Sequence, residues 1–191
     1  MTAILIDPPA IEPVTLAEAK AHLRLTGTDD DDYVAAMITA ARIQVETATR
    51  RVLIEQTWRI FRDDWPADGT IDIAVAPVTS VAAVTVYDAE GEPTVLPPTA
   101  WRLDAASSPA RLRPTGAVPL PGRTMNGVEI DVVAGYGASG LSVPQPLRLA
   151  IMTLVARWYE DREGLAYGIV PSRVAGAFEA LVAPFRVMRL T

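Results

Sequence analysis

The chain has 191 residues and no cysteine. Disulfide bonds, zinc–thiolate sites, iron–sulfur clusters and a cysteine nucleophile are therefore excluded. Its single histidine, His22, rules out a His–His metal motif and leaves little room for a Ser–His–Asp triad. No apolar run approaches the ~18–20 residues that span a bilayer, and the N-terminus lacks the basic and apolar regions of a signal peptide. We expect the chain to stay in a reducing cytoplasm unless a larger particle carries it out.

Positive charge is scarce. Lys20 is the single lysine, beside sixteen arginines, and 23 acidic residues bring the formal net charge to −6. Because neutralised phosphates supply most non-specific DNA affinity, an acidic chain without a basic cluster is a poor DNA-gripping protein. It suits a passage through which DNA slides. Arginine-rich, lysine-poor composition is also typical of protein interfaces, and genomic base composition explains it equally well.

Two N-terminal helices are indicated by capping signals and apolar spacing. Thr15 and Glu18 fit a capping box, and Gly27 is expected to end the first helix. Thr28 is expected to cap a second helix whose first turn holds the acidic run 29–32. Over about 20 residues, apolar positions in this second helix recur at spacings of three and four: Val34, Ile38, Ala41, Val45, Ala48 and Val52.

A β-rich block follows from Gln56, where the apolar period changes to two. Short segments rich in β-branched residues are separated there by proline and glycine. Their spacing is typical of a small sandwich or barrel. The predicted strands are 56–62, 71–75, 78–88, 101–103, 111–113 and 128–133, with a hairpin turn at 89–92.

Helical spacing returns after Pro144. An apolar stripe predicts a helix that Gly164 ends, and Ser172 is expected to cap a last short helix that stops before Pro184. The terminal helices each have an apolar face, so we expect them to pack on each other around an inserted block. The predicted fold is α+β: N-terminal helices of a small helical bundle (1–54), an inserted β-rich, sandwich- or barrel-like block (55–142), C-terminal helices of the bundle (143–183) and an extended C-terminal tail (184–191).

Motifs for catalysis, metals or cofactors are weak. The acidic run 29–32 lacks the spacing, mid-loop glycine and distal Glu of an EF-hand loop. The run 135–140 matches a dinucleotide-binding fingerprint letter by letter, but the hairpin-like block before it and the prolines after it argue against a βαβ unit. Asp63 and Asp64 are adjacent and would point to opposite faces of a strand, unlike carboxylates that flank one bond. We predict no catalytic residue, no metal site and no cofactor.

The C-terminal tail is the segment that we expect to carry function. Exposing a cluster of apolar side chains at a free end would gain nothing. The tail is therefore expected to dock on its own domain or on a neighbour, for which strand addition is one route. The residues expected to bind a partner are Phe185, Arg186, Val187, Met188, Arg189 and Leu190.

Four stretches resemble the head–tail connector (adaptor) proteins of long-tailed bacteriophages and of phage-like gene transfer agents. The likeness rests on the order and spacing of these stretches along nearly the whole chain, since none is a catalytic signature. They are 14–25 with 31–33, 40–46 leading to 56–58, 134–137 with 143–144 and 150–160, and 181–187.

This resemblance implies a structural protein of the phage neck and not an enzyme. Members of the family form a ring, usually of twelve subunits, beneath the portal protein, and they join it to the next connector, the stopper. Double-stranded DNA passes through the channel without sequence-specific binding, and no membrane is involved. The C-terminal segment commonly reaches toward the portal, which maps onto Phe185–Leu190 here.

The resemblance also implies a location and an electrostatic role. We expect the chain in the neck of a virion or virus-like particle, after assembly in the bacterial cytoplasm. Twelve copies of a chain with net charge −6 would carry −72. Such an acidic ring would repel phosphate and help DNA to slide.

Two other functions stay open on sequence grounds. A β block that recognises carbohydrate or another surface ligand would expose aromatic residues among Trp65, Trp101 and Tyr136. A small enzyme would bring two carboxylates together in a pocket.

Overall fold

The computed structural model describes residues 2–161 and 172–187, with backbone only for 172–175. The chain forms two compact units. Residues Met1–Pro9 and Glu55–Tyr136 make a β unit, and residues Ala10–Ile54 and Gly137–Thr191 make a helical unit. The described residues contain both helices and antiparallel sheets, so the predicted α+β fold class is confirmed. The β unit ends at Tyr136, before the predicted boundary at 142.

The β unit contains two antiparallel sheets. One has five strands in the order β1-β2-β8-β4-β5, and the other has three in the order β3-β7-β6. The strands β1 to β8 are Thr2–Asp7, Gln56–Arg62, Ile71–Ile73, Val78–Tyr87, Pro93–Val95, Trp101–Asp104, Ala110–Pro114 and Val128–Ala134.

Strand β8 shows why this sequence forms a half-buried sheet. Alternate residues of β8 are buried, and Glu129 and Asp131 between them lie on the other face. Buried Ile130 lies opposite Ile60 of β2 on one side and Val84 of β4 on the other. All three side chains are fully buried, so this row is the centre of the five-stranded sheet.

Residues 2–7 form the edge strand β1, whereas the sequence analysis placed them in the helical segment 1–54. β1 pairs antiparallel with β2, about 50 residues further along the chain. Its apolar residues Ile4, Leu5 and Ile6 are 43%, 43% and 41% exposed, so no alternation of buried and exposed positions marks the strand. β5 was also not predicted from the sequence; it has three residues, all exposed.

The described part of the helical unit contains four α-helices. They are α1 (Leu16–Leu23), α2 (Asp31–Thr49), α3 (Gln145–Glu160) and α4 (Ser172–Val182), and a 3-10 turn, Ala183–Phe185, follows α4. α2 packs against α3, α3 against α4, and α1 against both α2 and α3. The fully buried side chains of this unit include Val34, Val45, Leu147 and Ile151.

The beginning of α1 confirms the capping box. The Glu18 backbone N–H donates to Thr15 Oγ1 at 3.2 Å, and the Thr15 backbone N–H donates to Glu18 Oε2 at 2.9 Å. The predicted end at Gly27 is wrong, because α1 stops at Leu23 and Arg24 adopts the left-handed conformation. Leu25 N–H then reaches back to the Lys20 carbonyl, which closes the helix three residues early.

The ends of the other helices differ from the sequence predictions by a few residues. Asp30, not Thr28, occupies the position before α2, and its side chain makes no capping hydrogen bond. α2 ends at Thr49, so Val52 lies beyond the helix. α3 ends at Glu160, and Gly164, where its end was predicted, lies outside the described residues. α4 stops before Pro184, as predicted.

Candidate functional site

The beginning of the tail lies on the C-terminal end of α2. The last carbonyls of a helix have no partner inside it. Two of these carbonyls on α2 accept hydrogen bonds from the tail: Thr49 O from Val187 N–H at 3.1 Å, and Ala48 O from Arg186 Nε at 3.3 Å. Arg51, just past the helix, donates from Nε to the Phe185 carbonyl at 2.6 Å. Residues 185–187 therefore cap α2.

This contact places the first half of the predicted partner-binding segment on its own unit. Phe185 and Val187 are half-buried, and exposed Arg186 also pairs with Glu179 of α4. Met188, Arg189 and Leu190, the second half of the segment, lie outside the described residues. The base of the tail therefore has a fixed exit point beside Thr49.

A buried arginine on α3 holds the beginning of α1. Arg148 is 8% exposed, and it donates from Nε to the Pro13 carbonyl at 3.0 Å and from Nη2 to Glu18 Oε1 at 2.6 Å. Hydrogen bonds from the Thr15 backbone and from Arg148 lower the pKa of Glu18. Glu18 therefore serves both the capping box and the contact between α1 and α3.

A second buried arginine lies in the apolar stripe of α2. Arg42 is 8% exposed, and it donates to Glu12 at 2.8 Å and to Glu46 at 2.7 Å. Glu12 also accepts from Thr39 Oγ1 at 2.9 Å, and Glu46 accepts from the Leu53 backbone N–H at 2.9 Å. Each carboxylate thus joins α2 to a neighbouring segment of chain.

An open groove of about 760 Å³ in the helical unit is lined in part by Arg148 and by Glu12, which pairs with Arg42. Apolar side chains, among them Ile38 and exposed Leu141, form most of its wall. Its two carboxylates, Glu12 and Glu18, are each paired with an arginine. A general acid needs a raised pKa, whereas the pKa of Glu18 is lowered. The groove has the character of a packing surface.

The five-stranded sheet carries a charged network on its half-exposed face. Arg59 of β2 makes two hydrogen bonds to Asp131 of β8, at 2.7 and 2.8 Å, and lies 3.2 Å from Glu129. The Tyr87 hydroxyl of β4 donates to Glu129 at 3.0 Å. Burial, followed by this hydrogen bond, raises the pKa of Tyr87. The network ties the three central strands together across their solvent-facing side.

The two units differ in charge. The β unit holds twelve acidic and six basic residues, and the helical unit holds eleven of each. The whole net charge of −6 therefore belongs to the β unit. This division follows the fold and is invisible in the overall composition.

The other candidate motifs have structural roles. In the acidic run, Asp31 pairs with Lys20, and Asp30 accepts from the Tyr159 hydroxyl at 2.5 Å. Asp64 accepts from the backbone N–H of the adjacent Trp65, and Asp63 accepts from the backbone N–H of Asn126. Within residues 2–161 and 172–187, no group of three or more His, Asp or Glu side chains is arranged to hold a metal ion. No described helix is long and apolar enough to cross a bilayer.

The glycine-rich run 135–140 joins β8 to α3. Gly135 and Gly137 have positive φ angles of 136° and 145°. A Cβ on Gly140 would lie 2.6 Å from the Pro13 carbonyl oxygen, so this close backbone approach requires glycine. Packing and turn geometry explain these glycines.

The aromatic residues of the β unit do not form an open sugar platform. Trp65, Trp101 and Tyr136 are all half-buried. The Trp65 indole N–H is already donated to the Pro119 carbonyl at 2.9 Å. The carbohydrate-binding alternative is not favoured.

Sequence reasoning missed the residues that position the tail and α1: Arg42, Arg51, Arg148 and Glu12. One signal was present in the sequence. Arg42 stands four residues after Ile38 and three before Val45, within an apolar stripe, and a charge at such a position requires a buried partner. One partner, Glu46, lies four residues further along the same helix, and the other, Glu12, lies 30 residues away along the chain.

The known proteins that this chain resembles come from phages and phage-like particles. The profile of the phage gp6-like head–tail connector protein family matches residues 13–91. A chain in the neck of an empty GTA particle computed with C6 symmetry is 29% identical, with a TM-score of 0.85, over 100% of this chain and 98% of that one. A chain from the virion of a native gene transfer agent (GTA) particle is 28% identical, with a TM-score of 0.81 and the same coverage.

A third chain comes from the neck of a native GTA particle computed with C12 symmetry. It is 28% identical, with a TM-score of 0.71, over 98% of this chain and 97% of that one. No curated protein matches the chain.

Residues 13–91 thus resemble the phage gp6-like head–tail connector family. The chain is also similar along nearly its whole length to chains of gene transfer agent particles. The resemblance stated from the sequence is confirmed.

Proposed function

We propose that the chain is a structural adaptor that forms a twelve-subunit ring beneath the portal and joins the DNA-filled capsid to the next neck component. The observation that carries this proposal is the full-length likeness to neck chains, at 28–29% identity. One of those necks was computed with C12 symmetry, which supports twelve copies. The protein would work in the neck of the particle, after assembly in the bacterial cytoplasm, and without catalysis.

The tail is the proposed contact with the portal. Residues 185–187 are held by two hydrogen bonds to α2 and by one from Arg51, just past the helix. The following residues Met188, Arg189 and Leu190 would then leave from a fixed point and reach the neighbouring protein. A fixed exit lowers the entropy cost of binding, because less of the segment has to be ordered on contact.

The β unit is proposed to supply the acidic charge of the DNA channel. Twelve β units would carry the full −72, and twelve helical units would carry none. A repelling wall lets duplex DNA pass without sticking, since phosphate neutralisation is what holds DNA to proteins. The stopper and the portal would then contact the remaining surfaces.

The tail proposal is tested by binding to the purified portal protein. A Met188→Ser/Leu190→Ser variant removes the apolar side chains and leaves the capping residues 185–187 intact. We expect it to lose portal binding by about tenfold or more, because buried apolar anchors carry most of the affinity of such contacts.

The matched control is Thr191→Ala, which changes the end of the same tail outside the residues expected to bind and keeps its apolar residues. We expect the control to bind nearly as the unchanged chain does. Full affinity in the double-serine variant would refute the assignment of the tail to the portal.

A further inference from the structure

We infer that neighbouring copies contact each other through an arginine pair on the three-stranded sheet and an acidic hairpin tip, both within the β unit. This inference rests on the proposed ring. The arginine pair is Arg102 and Arg113. The acidic hairpin tip is the turn between β4 and β5, with Asp88, Glu90 and Glu92.

The arginine pair presents two like charges side by side. Arg102 of β6 and Arg113 of β7 are directly opposite each other in the antiparallel register, and both are exposed. Directly opposite residues share a face of the sheet, with Cβ atoms about 5 Å apart, and like charges there repel. An anionic group that lies between the two arginines would therefore relieve their repulsion and stabilise the sheet.

Little on their own chain neutralises these two arginines. Arg111, on the same face, is engaged by Asp104 at 2.6 Å. Arg113 gives one N–H to the Asp68 carbonyl at 3.2 Å, and it makes no ion pair among the described residues. Arg102 has no hydrogen-bond or ion-pair partner within the part of the chain that the structure describes.

The acidic hairpin tip offers a complementary group with a fixed shape. Asp88 Oδ1 accepts from the backbone N–H groups of Glu90 and Glu92 at 3.0 and 2.8 Å, and Gly91 takes a φ of +87°. Glu90 and Glu92 are exposed, and neither carboxylate has a partner among the described residues. The backbone of the turn is already ordered in the free chain, so it does not have to become ordered when a partner binds Glu90 and Glu92.

The base of the hairpin is equally well held. Tyr87, at the end of β4, donates its hydroxyl to Glu129, and the Arg123 guanidinium lies 4.7 Å from the centre of its ring. Gly122 N–H donates to the Tyr87 carbonyl at 2.9 Å. A protruding, preorganised anion of this kind suits insertion between two arginines.

The chemistry points to a second copy of this chain as the partner. The arginine pair and the acidic hairpin tip are formed by different residues. Each copy can therefore give its arginine pair to one neighbour and its hairpin tip to another, and such a head-to-tail contact can close a ring. The other polyanion in the particle is DNA. Two arginines in a unit with net charge −6 are a poor DNA site, because the surrounding carboxylates repel phosphate.

A charge exchange tests the contact. Variant A is Arg102→Glu/Arg113→Glu, and variant B is Glu90→Arg/Glu92→Arg. Each is produced in cells that assemble the particle, in place of the unchanged chain, and its amount in purified particle necks is measured. Each variant alone places like charges against each other, and we expect a loss of about tenfold or more in neck incorporation.

Producing A and B together restores the pairing, because each hairpin then meets an opposite charge in an alternating ring. We expect incorporation to return to the unchanged level. Mixing A or B with the unchanged chain leaves a mismatched contact and should not restore it. Recovery in the A plus B mixture also shows that both variants fold.

Two results overturn the inference. One is normal incorporation of variants A and B when each is produced alone, including the case in which variant A loses only contact with DNA. The other is no recovery of incorporation in the mixture of A and B. If the unchanged chain itself is absent from the neck, the proposed function fails before any variant is compared.

Discussion

Two buried arginines fix the first residues of the helical unit. Arg148 ties α3 to Pro13 and Glu18, and Arg42 ties α2 to Glu12. A buried charge is tolerated only with partners, and arginine supplies several donors in a rigid planar group. These contacts set where α1 begins relative to α2 and α3.

Replacing Arg148 should be costly. An Arg148→Leu variant leaves the Pro13 carbonyl and the Glu18 carboxylate without their donor, and we expect a loss of about 2–4 kcal/mol in the free energy of unfolding. Urea unfolding with an unchanged m-value measures it. The control is Arg111→Leu, which removes an exposed pair with Asp104 and should change little. Equal effects of the two variants would contradict this account.

Glu18 gives the helical unit an acid-sensitive contact. Its pKa is lowered from 4.5 by hydrogen bonds from the Thr15 backbone and Arg148. A carboxyl with a lower pKa in the folded chain stabilises the fold above its unfolded pKa, and this contribution is lost as the pH falls through the folded pKa. Glu18→Gln should therefore be less stable than the unchanged chain at neutral pH.

The same variant should match the unchanged chain in acid. Urea unfolding at a series of pH values gives the difference curve, which isolates Glu18 from other acidic groups such as Asp104, whose pKa is about 2. A difference that does not change with pH would contradict the assigned role.

At the residue scale, the sequence predicted contacts that are close along the chain. Thr15 and Glu18 of the capping box are three residues apart, so the sequence pattern alone predicts the hydrogen bonds between them. The partner of Glu18 on α3 is 130 residues away. No local sequence pattern predicts the contact between Glu18 and Arg148, because it depends on how α1 packs against α3.

The tail and α2 form one structural element. Residues 185–187 supply partners to the carbonyls of Ala48 and Thr49, which no residue within α2 reaches. The tail therefore has two separable parts: a capping part that stabilises the helical unit, and the segment 188–190 proposed to bind the portal.

Truncation should separate these two parts. A chain that stops after Val187 keeps the caps of α2 and should unfold like the full chain. A chain that stops after Val182 loses two hydrogen bonds to α2 and one from Arg51, and we expect it to be about 2 kcal/mol less stable. Thermal and urea unfolding of both chains measure this. The idea of a capping role is wrong if the shorter chain is as stable as the longer one.

At the element scale, periodicity predicted the long helices and the central strands, because their side chains are buried on one face. α2 and β8 are examples. β1 and β5 were not predicted, because they are edge strands whose side chains are mostly exposed. Their strand character depends on backbone pairing with β2 and β4, and hydrophobic pattern carries no information about that.

At the scale of the whole molecule, the fold divides the charge between its two units. The acidic excess lies entirely in the β unit, which is assembled from residues before 10 and after 54. The sequence predicted the acidity, and the class followed from the order and spacing of the four connector-like stretches. The predicted block 55–142 already holds eleven acidic and six basic residues, a net charge of −5, and the fold adds one more charge because Asp7 of β1 joins the β unit.

The most direct test is electron cryomicroscopy of particles that contain the chain. The account predicts a ring of this fold with C12 symmetry beneath the portal, with the tail on the portal side and the acidic β units around the DNA path. Particles made without the chain should contain heads that are not joined to tails. Normally joined particles without it, or a neck with no density for this fold, would contradict the central claim.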